Sequence, residues 1–328
     1  HLRILDVGAG VGGQALALCD LLPDDALVEY HAVEPSAAAP TVLDPLLEGV
    51  GRNVHPTVHR EPIEDHDPDG PFDLVVCANV LSELAIPAAV TRDLLASLAA
   101  DGTLVAIAPA DRNTAIGLRE VEREVEATAG ATIYAPTCRL WPGETPGSTC
   151  WSFDRKPALD VPAFQARLDE AAAGDGEFVN VDVQFAYSEL RTDGLTRVDL
   201  RPGADRYAKM AAMETHVTER IDLVAIKLSH DLTEANPDAT GRAGGSGRTE
   251  SPGAAGDGAN PLFLVGDGSE QVDHVAVLTE ATSLNESLAT ADYGQALVFE
   301  NVLVLWNDDE GAYNLVVDGE SVVDAAPP

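Results

Sequence analysis

The run Leu5 to Gly13, LDVGAGVGG, is a short apolar stretch that carries one carboxylate, Asp6, and passes directly into Gly8, Gly10 and Gly12. Residues without a Cβ let the chain turn tightly and let a ligand approach the main chain. The residues that follow, Ala15 to Leu22, read as a helix, so the segment is strand, glycine turn, helix. An open, doubly wound α/β sheet presents its backbone to a nucleotide-type ligand in this way.

Gly8, Gly10 and Gly13 also satisfy GxGxxG, the dinucleotide pattern of Rossmann-like sheets, and that match alone does not choose the ligand. Asp6 is the discriminating residue. A pyrophosphate seeks helix N-terminal amides and no adjacent anion, whereas S-adenosylmethionine lacks phosphate and carries a sulfonium and an ammonium group, so Asp6 suits the methyl donor. A second acid, Glu34 in YHAVEPS, closes the next apolar run, where a carboxylate can accept ribose hydroxyls in either case. The stretch Phe72 to Leu84, FDLVVCANVLSEL, has the continuous apolar character of a central parallel strand and brings Asn79 to the ligand edge. Between these runs, REPIEDH offers Glu64 and Asp65 as acceptors for an adenine amino group. In order and motif the region resembles the class I S-adenosylmethionine-dependent methyltransferase superfamily.

A chain of 328 residues leads us to expect two domains. Its 55 acidic and 20 basic residues give a net charge of −35, and only Lys156, Lys209 and Lys227 are lysines. Multimolar salt shortens electrostatic screening to roughly 3 Å or less, so that such a charge no longer drives the fold apart. The composition suggests a salt-loving microbial source, unless the acidic bias has another cause; a haloarchaeal-type member of its family, in the cytoplasm, is the expectation. Four cysteines, Cys19, Cys77, Cys138 and Cys150, make no disulfide framework at this length. No apolar stretch is long enough to span a bilayer. The chain opens at His1 inside the expected first strand, so a natural start upstream is the expectation.

Residues 1–192 alternate apolar strands, near 3–7, 28–33, 73–77 and 103–108, with helices such as Pro87 to Ala100, and form the expected methyltransferase-like domain with an irregular loop at 136–150. Later strands are read at Ile133 to Ala135, Cys150 to Phe153 and Val181 to Leu190, the last two a hairpin pair enclosing a helix from Val161 to Ala173. Residues 193–220 are read as a connector, with a helix over Ala204 to Arg220. Residues 221–328 turn to short alternating strands, an OB-like β-barrel interrupted by a Gly-, Ala- and Ser-rich loop, Thr233 to Pro261, expected to be disordered. Charge divides along the same lines. Residues 1–111 hold 4 basic and 18 acidic residues, 112–227 hold 14 and 19, and 228–328 hold 2 and 18. A polyanion would therefore be met by the region 112–227, unless its arginines pair with neighbouring acids, as REVEREVE from Arg119 to Glu126 invites.

The stretch YAPTCRLWPGETPGSTCWSFDRK, Tyr134 to Lys156, is rich in Pro and Gly and combines two cysteines with two tryptophans. With the glycine motif, ANVLSEL and AYSELR (Ala186 to Arg191), it resembles the mitoribosomal small-subunit assembly methyltransferase-like family. The resemblance implies a factor acting on the small ribosomal subunit or its rRNA. Gly8, Gly10 and Gly12 match that family's cofactor turn, Asn79 to Leu84 its strand end, and Tyr134 to Phe153 its cysteine-rich loop. Relatives with APCP…CP…WCHF loops resemble iron–sulfur proteins. Here only Cys138 and Cys150 remain in the loop, CWSF replaces WCHF, and no cysteine follows, which argues against a cluster. His216 and His230 are lone histidines, and no metal ligand set is read from the sequence.

The expected cofactor residues are thus Asp6, Gly8, Gly10, Gly12, Glu34, Glu64 and Asn79. No catalytic residue stands out. Asn79-Val80-Leu81-Ser82 lacks the two prolines and aromatic of amino-methylating nucleic-acid enzymes, and Cys77 sits inside an apolar strand where a thiolate is disfavoured. Methyl transfer from a sulfonium depends mainly on in-line positioning, which needs no base. Three readings stay open: a ribosome-directed methyltransferase, a cofactor-binding assembly factor without turnover, and a methyltransferase for a small molecule or protein.

Overall fold

Apolar strands that end in glycine, proline or a carboxylate alternate with helices through the first half of the chain and build a mixed sheet. The computed structural model describes residues 1–326 apart from 24, 52, 158, 173, 175, 177, 182, 199–205 and 234–259. The chain divides into two units, one of His1–Cys138 and Cys150–Arg197, the other of Arg139–Thr149 and Val198–Pro328.

In the first unit the parallel strands are β1 (Leu2–Val7), β2 (Val28–Val33), β3 (Val54–His59), β4 (Phe72–Ala78) and β5 (Leu98–Pro109). The later strands are β6 (Thr132–Ala135), β7 (Asp154–Arg155) and β8 (Gln184–Arg191), and the order is β3-β2-β1-β4-β5-β8-β6, with β7 paired to β8. Strand β8 runs antiparallel to both β5 and β6. The helices are α1 (Gly13–Leu21), α2 (Pro40–Gly49), α3 (Pro87–Ala96), α4 (Arg112–Ala129) and α5 (Ala163–Ala172).

Alternation along the strands supplies two buried faces. Ile4, Val28, Tyr30 and Ala32 pack with Ala15 of α1 and with Leu43 and Leu47 of α2. Leu5, Val7, Val33, Val75 and Cys77 pack with Leu94 and Leu95 of α3 and with Leu118, Val121 and Val125 of α4. Each such aliphatic side chain contributes about 1.5–3 kcal/mol by leaving water. Helix α4 begins at Asp111, whose side chain accepts from Thr114 N at 3.1 Å, and stops at Gly130 in the left-handed region.

In the second unit the strands are β9 (Arg220–Lys227), β10 (Leu262–Gly266), β11 (His274–Leu278), β12 (Ala296–Asn307), β13 (Ala312–Val317) and β14 (Val322–Ala325). The order β9-β10-β11-β13-β12 closes into a five-stranded barrel because β12 also pairs with β9, and β14 adds to β12. Only the β11–β13 pairing is parallel among these. A single-turn helix, α6 (Ser287–Thr290), lies between β11 and β12. The Lys227 ammonium, buried, donates to Ala289 O at 3.2 Å and Ala291 O at 2.7 Å at that helix's end.

Several expectations change. The helix read over Ala204 to Arg220 is replaced, among the described residues, by 3-10 turns at Met210–His216, anchored by buried Met210 and Met213. The strand read at Cys150 to Phe153 shifts to Asp154–Arg155, though it pairs with β8 and encloses α5 as expected. Apart from its ends, the Thr233 to Pro261 loop lies outside the described residues. Among the described residues no helix is long and apolar enough to cross a membrane.

Candidate functional site

Asp6 lies one residue from the end of β1 and is fully buried. Tyr30, diagonal to it on β2, donates its hydroxyl to Asp6 Oδ2 at 2.5 Å, while Oδ1 is buried with no protein partner. Burial raises the Asp6 carboxyl to about 6, the nearby Glu34 adds to this, and the Tyr30 bond opposes it. A buried polar atom without a hydrogen bond costs about 1–3 kcal/mol. Such a debit beside a turn of glycines fits a place completed by something other than the chain.

The turn after β1 could be made by few residues other than glycine. Gly8 has φ +69°, and a Cβ there would stand 3.0 Å from Val80 Cγ2, while Gly12 has φ +92° and its Cβ would stand 2.9 Å from Leu43 Cδ1. Glu34, just beyond β2, binds the turn itself: Gly10 N donates to its Oε2 at 2.8 Å and Ser36 N to its Oε1 at 2.7 Å. Asn79 follows β4, exposed, with φ 59°, and its N–H donates to Ile107 O at 2.8 Å. Strands β2, β1 and β4 are neighbours, so their carboxyl ends bring Glu34, Asp6, the glycines and Asn79 to one edge, where open α/β sheets bind ligands.

Glu64 is placed differently. It is exposed on the 3-10 turn Ile63–Asp65 and lines a cleft with Asp93, Ser97 and Leu98, beside the amino ends of β4 and β5. A cleft of about 430 Å³ adjoins Glu34 instead, lined by Pro35, Ser36, Ala37, Thr41, Asp44 and Arg60. A third, mainly apolar cavity of about 500 Å³ lies between α4 and the segment after β4, with Leu81, Ile86, Pro87, Ala108, Leu118 and Val121 among its walls. Sequence reading missed Tyr30, Ser36 and Arg60. Strand pairing is needed to find Tyr30, but the polar residues flanking β2 and β3 were a readable signal for the other two. Cys77 is buried with its thiol pushed well above the ordinary range by burial and by Asp6, so it is not poised as a nucleophile.

The basic residues of the central region are largely engaged. Arg119 and Glu122 form a fully buried pair at 2.7 Å, with Ser188 Oγ donating to the same carboxylate at 2.8 Å. Arg191 pairs with Asp193, Arg206 with Glu300, Lys209 with Glu144 and Arg220 with Asp318. The REVEREVE helix thus pairs its first arginine with an acid, but inside the core rather than on a solvated face.

The loop read as part of the first domain is divided between the units. Arg139–Thr149 belongs to the second, where Leu140 N donates to Asp267 O at 3.1 Å, Trp141 Nε1 to Asp267 Oδ2 at 2.6 Å and Gly147 N to Glu270 O at 2.8 Å. Cys138 and Cys150 are both buried in the first unit, the Cys138 thiol donating to Tyr134 O at 3.0 Å and the Cys150 thiol to Ser152 Oγ at 3.6 Å.

Residues 5–104 match a family described as methyltransferase domain, and residues 211–326 match a domain of unknown function (DUF8157), C-terminal domain. No curated protein matches the chain. An S-adenosylmethionine-dependent methyltransferase from Clostridium acetobutylicum ATCC 824 is 15% identical over 36% of this chain and 46% of its own, with a TM-score of 0.29. Coclaurine N-methyltransferase, bound to N-methylheliamine and SAH, is 18% identical over 33% of this chain and 31% of its own, with a TM-score of 0.29. The StiE O-MT segment, residues 942–1257, is 12% identical over 60% of this chain and 70% of its own, with a TM-score of 0.39. The chain spans less than half the length of the first two of these structures.

Proposed function

We propose that the first unit binds S-adenosylmethionine at the β2-β1-β4 edge and transfers its methyl group. The observation that carries this reading is the buried, half-satisfied Asp6 carboxylate beside a glycine turn held open by Glu34. An anion there disfavours a diphosphate and favours a ligand with sulfonium and ammonium charges. The family match over residues 5–104 supports the same reading. Gly8, Gly10 and Gly12 would let the nucleoside approach the main chain, the cleft beside Ser36 and Arg60 would offer room for its adenosyl end, and Asn79 would border the same edge. The bound cofactor supplies the electrophilic methyl. The chain positions it and excludes water.

For the acceptor we propose the small ribosomal subunit, with the second unit as an OB-like module. Its closed barrel in the order first, second, third, fifth, fourth strand, with a helix between the third and fourth, supports the OB-like assignment. A small-molecule acceptor is the second reading. The apolar cavity beside Leu81 and Ala108 favours it, as does the acidic β12–β13 turn at Asp308, Asp309 and Glu310, which would repel phosphate. Titration of S-adenosylmethionine and NAD into the full chain in concentrated salt tests the cofactor: binding of NAD in preference overturns the proposal. Sequencing the RNA that co-sediments with the protein, and seeking a methyl-labelled nucleotide made only in its presence, tests the acceptor. Absence of small-subunit rRNA overturns the ribosomal reading.

A further inference from the structure

In the first unit, beside the strand end where Glu34 N donates to His59 O at 3.0 Å, three side chains of metal-ligating type converge. His59 closes the edge strand β3, Glu61 follows two residues later, and the 3-10 turn Ile63–Asp65 brings His66 back beside them. One donor atom from each lies within 4.8 Å of the other two. His66 Nδ1 is 2.7 Å from Glu61 Oε1, and the His59 and His66 ring centres are 4.4 Å apart. Behind them His31 of β2 stacks on His59, with Nδ1 of His31 at 3.2 Å from Nε2 of His59. The His66 side chain is 7% exposed and that of Glu61 44%, so the trio has a buried floor and an open mouth.

The setting is unusual for histidine. On the same sheet face the neighbouring strands present Leu5, Val7, Val33 and Val75 to an apolar core. At the β2–β3 edge imidazoles take their place, and the β3–β4 crossover above them has no helix beyond that one three-residue turn. Apolar anchoring of this crossover comes from Ile63, and Arg3 donates to Asp69 O at 2.8 Å and Pro71 O at 3.0 Å. Two imidazoles and a carboxylate are a nitrogen-rich donor set of borderline softness, suited to zinc and similar divalent ions and unsuited to magnesium or calcium. We infer that His59, Glu61 and His66 form a binding site for a divalent transition-metal ion of the zinc type, which staples the helix-free crossover to the sheet. His31 acts from outside the donor set, its hydrogen bond fixing the His59 ring, as partners of metal-bound histidines do.

The test uses the full chain stripped with chelator, in concentrated salt, titrated with Zn²⁺ and with Co²⁺ as a visible-spectrum probe. Expected are a single saturable site, a raised melting temperature on loading, and no competition from Mg²⁺. Glu61→Gln keeps the bond to His66 but removes the anionic donor, and His66→Ala removes a ring. Each should weaken Co²⁺ binding by about 100-fold. His55→Ala, on the same strand but exposed, should change nothing. Unaltered Co²⁺ affinity in Glu61→Gln and His66→Ala, or displacement by Mg²⁺, overturns the site. Should His66→Ala fail to fold, ring nitrogen shifts of His59 and His66 in the unmutated chain on adding Zn²⁺ decide it, and their absence overturns it. None of these readouts depends on the methyl donor, so the proposed cofactor can fail while the metal site stands.

Discussion

Each unit contains a strand that ends near a buried acid and continues into a glycine-bearing turn. In the first, β1 carries Asp6 into Gly8, Ala9 and Gly10; in the second, β10 ends at Gly266 and continues through Asp267, Gly268, Ser269 and Glu270. Both acids are fully buried. Asp267 is saturated, its Oδ1 accepting from Ser269 N at 2.8 Å and Ser269 Oγ at 2.7 Å, its Oδ2 from Trp141 Nε1 at 2.6 Å and Met210 N at 2.9 Å. Asp6 has Tyr30 on one oxygen and nothing on the other. Similar local sequence thus serves two ends. The saturated acid knits distant segments into a core, and the unsaturated one is held ready for a partner from solution.

The sharpest way to break that contrast is to remove each acid in turn. Asp267→Ala strands the Trp141 and Met210 donors in the core and should lower unfolding free energy by about 3 kcal/mol or more, read by urea melts in concentrated salt, with adenosylmethionine affinity of the first unit unchanged. Asp6→Asn keeps an acceptor for Tyr30 but deletes the charge. It should weaken adenosylmethionine binding by about 100-fold while leaving the melting temperature the same or higher. If Asp6→Asn destabilises the fold instead and spares binding, the two acids have the same role and the contrast fails.

Titration sharpens the comparison. Burial raises the folded-state carboxyl of Asp6 to about 6 and that of Glu270, beside Asp267, to about 7. The folded protein therefore holds more protons than the unfolded chain between 3.8 and about 6 for Asp6, and between 4.5 and about 7 for Glu270. Stability contributed by each group is present below the lower limit and lost as pH rises through the upper one. Urea midpoints measured across this range should fall with pH, less so in Glu270→Gln near neutrality and less so in Asp6→Asn in the acidic part. Affinity for a cationic ligand should run the other way, rising as Asp6 ionises near pH 6. The smallest effect is that of Trp141→Phe, which removes one of four bonds to Asp267 and should cost about 1 kcal/mol.

Much of the glycine-turn edge was legible because it lies within continuous segments. Asp6, Gly8, Gly10, Gly12, Glu34 and Asn79 follow one another at strand ends, and apolar runs mark the strands that carry them. What escaped depends on register or on distance along the chain. Tyr30 reaches Asp6 only because β1 and β2 pair with Ile4 opposite Tyr30. Strand β3, VHPTVH, shows no apolar run; it is an edge strand, where Pro56 and an exposed His55 are tolerated. Glu64 sat at a plausible spacing, and it is exposed on the 3-10 turn after β3, lining a cleft that runs on to Pro71 and Leu98. The Ala204 to Arg220 stretch has helical composition, but its methionines are drawn into the barrel core and tighten it into 3-10 turns.

Because Arg139–Thr149 is a strap of the second unit inserted within the sequence of the first, no single cut separates the two. During synthesis Trp141 leaves the ribosome well before Asp267, so its indole has no acceptor until more than a hundred further residues have been translated. A fragment ending at Arg197 would carry that strap as an orphan, with Leu140 and Trp141 deprived of Asp267. Separating the units cleanly calls for rewiring the chain, with Cys138 joined to Cys150 by a linker and the strap supplied afresh to the barrel.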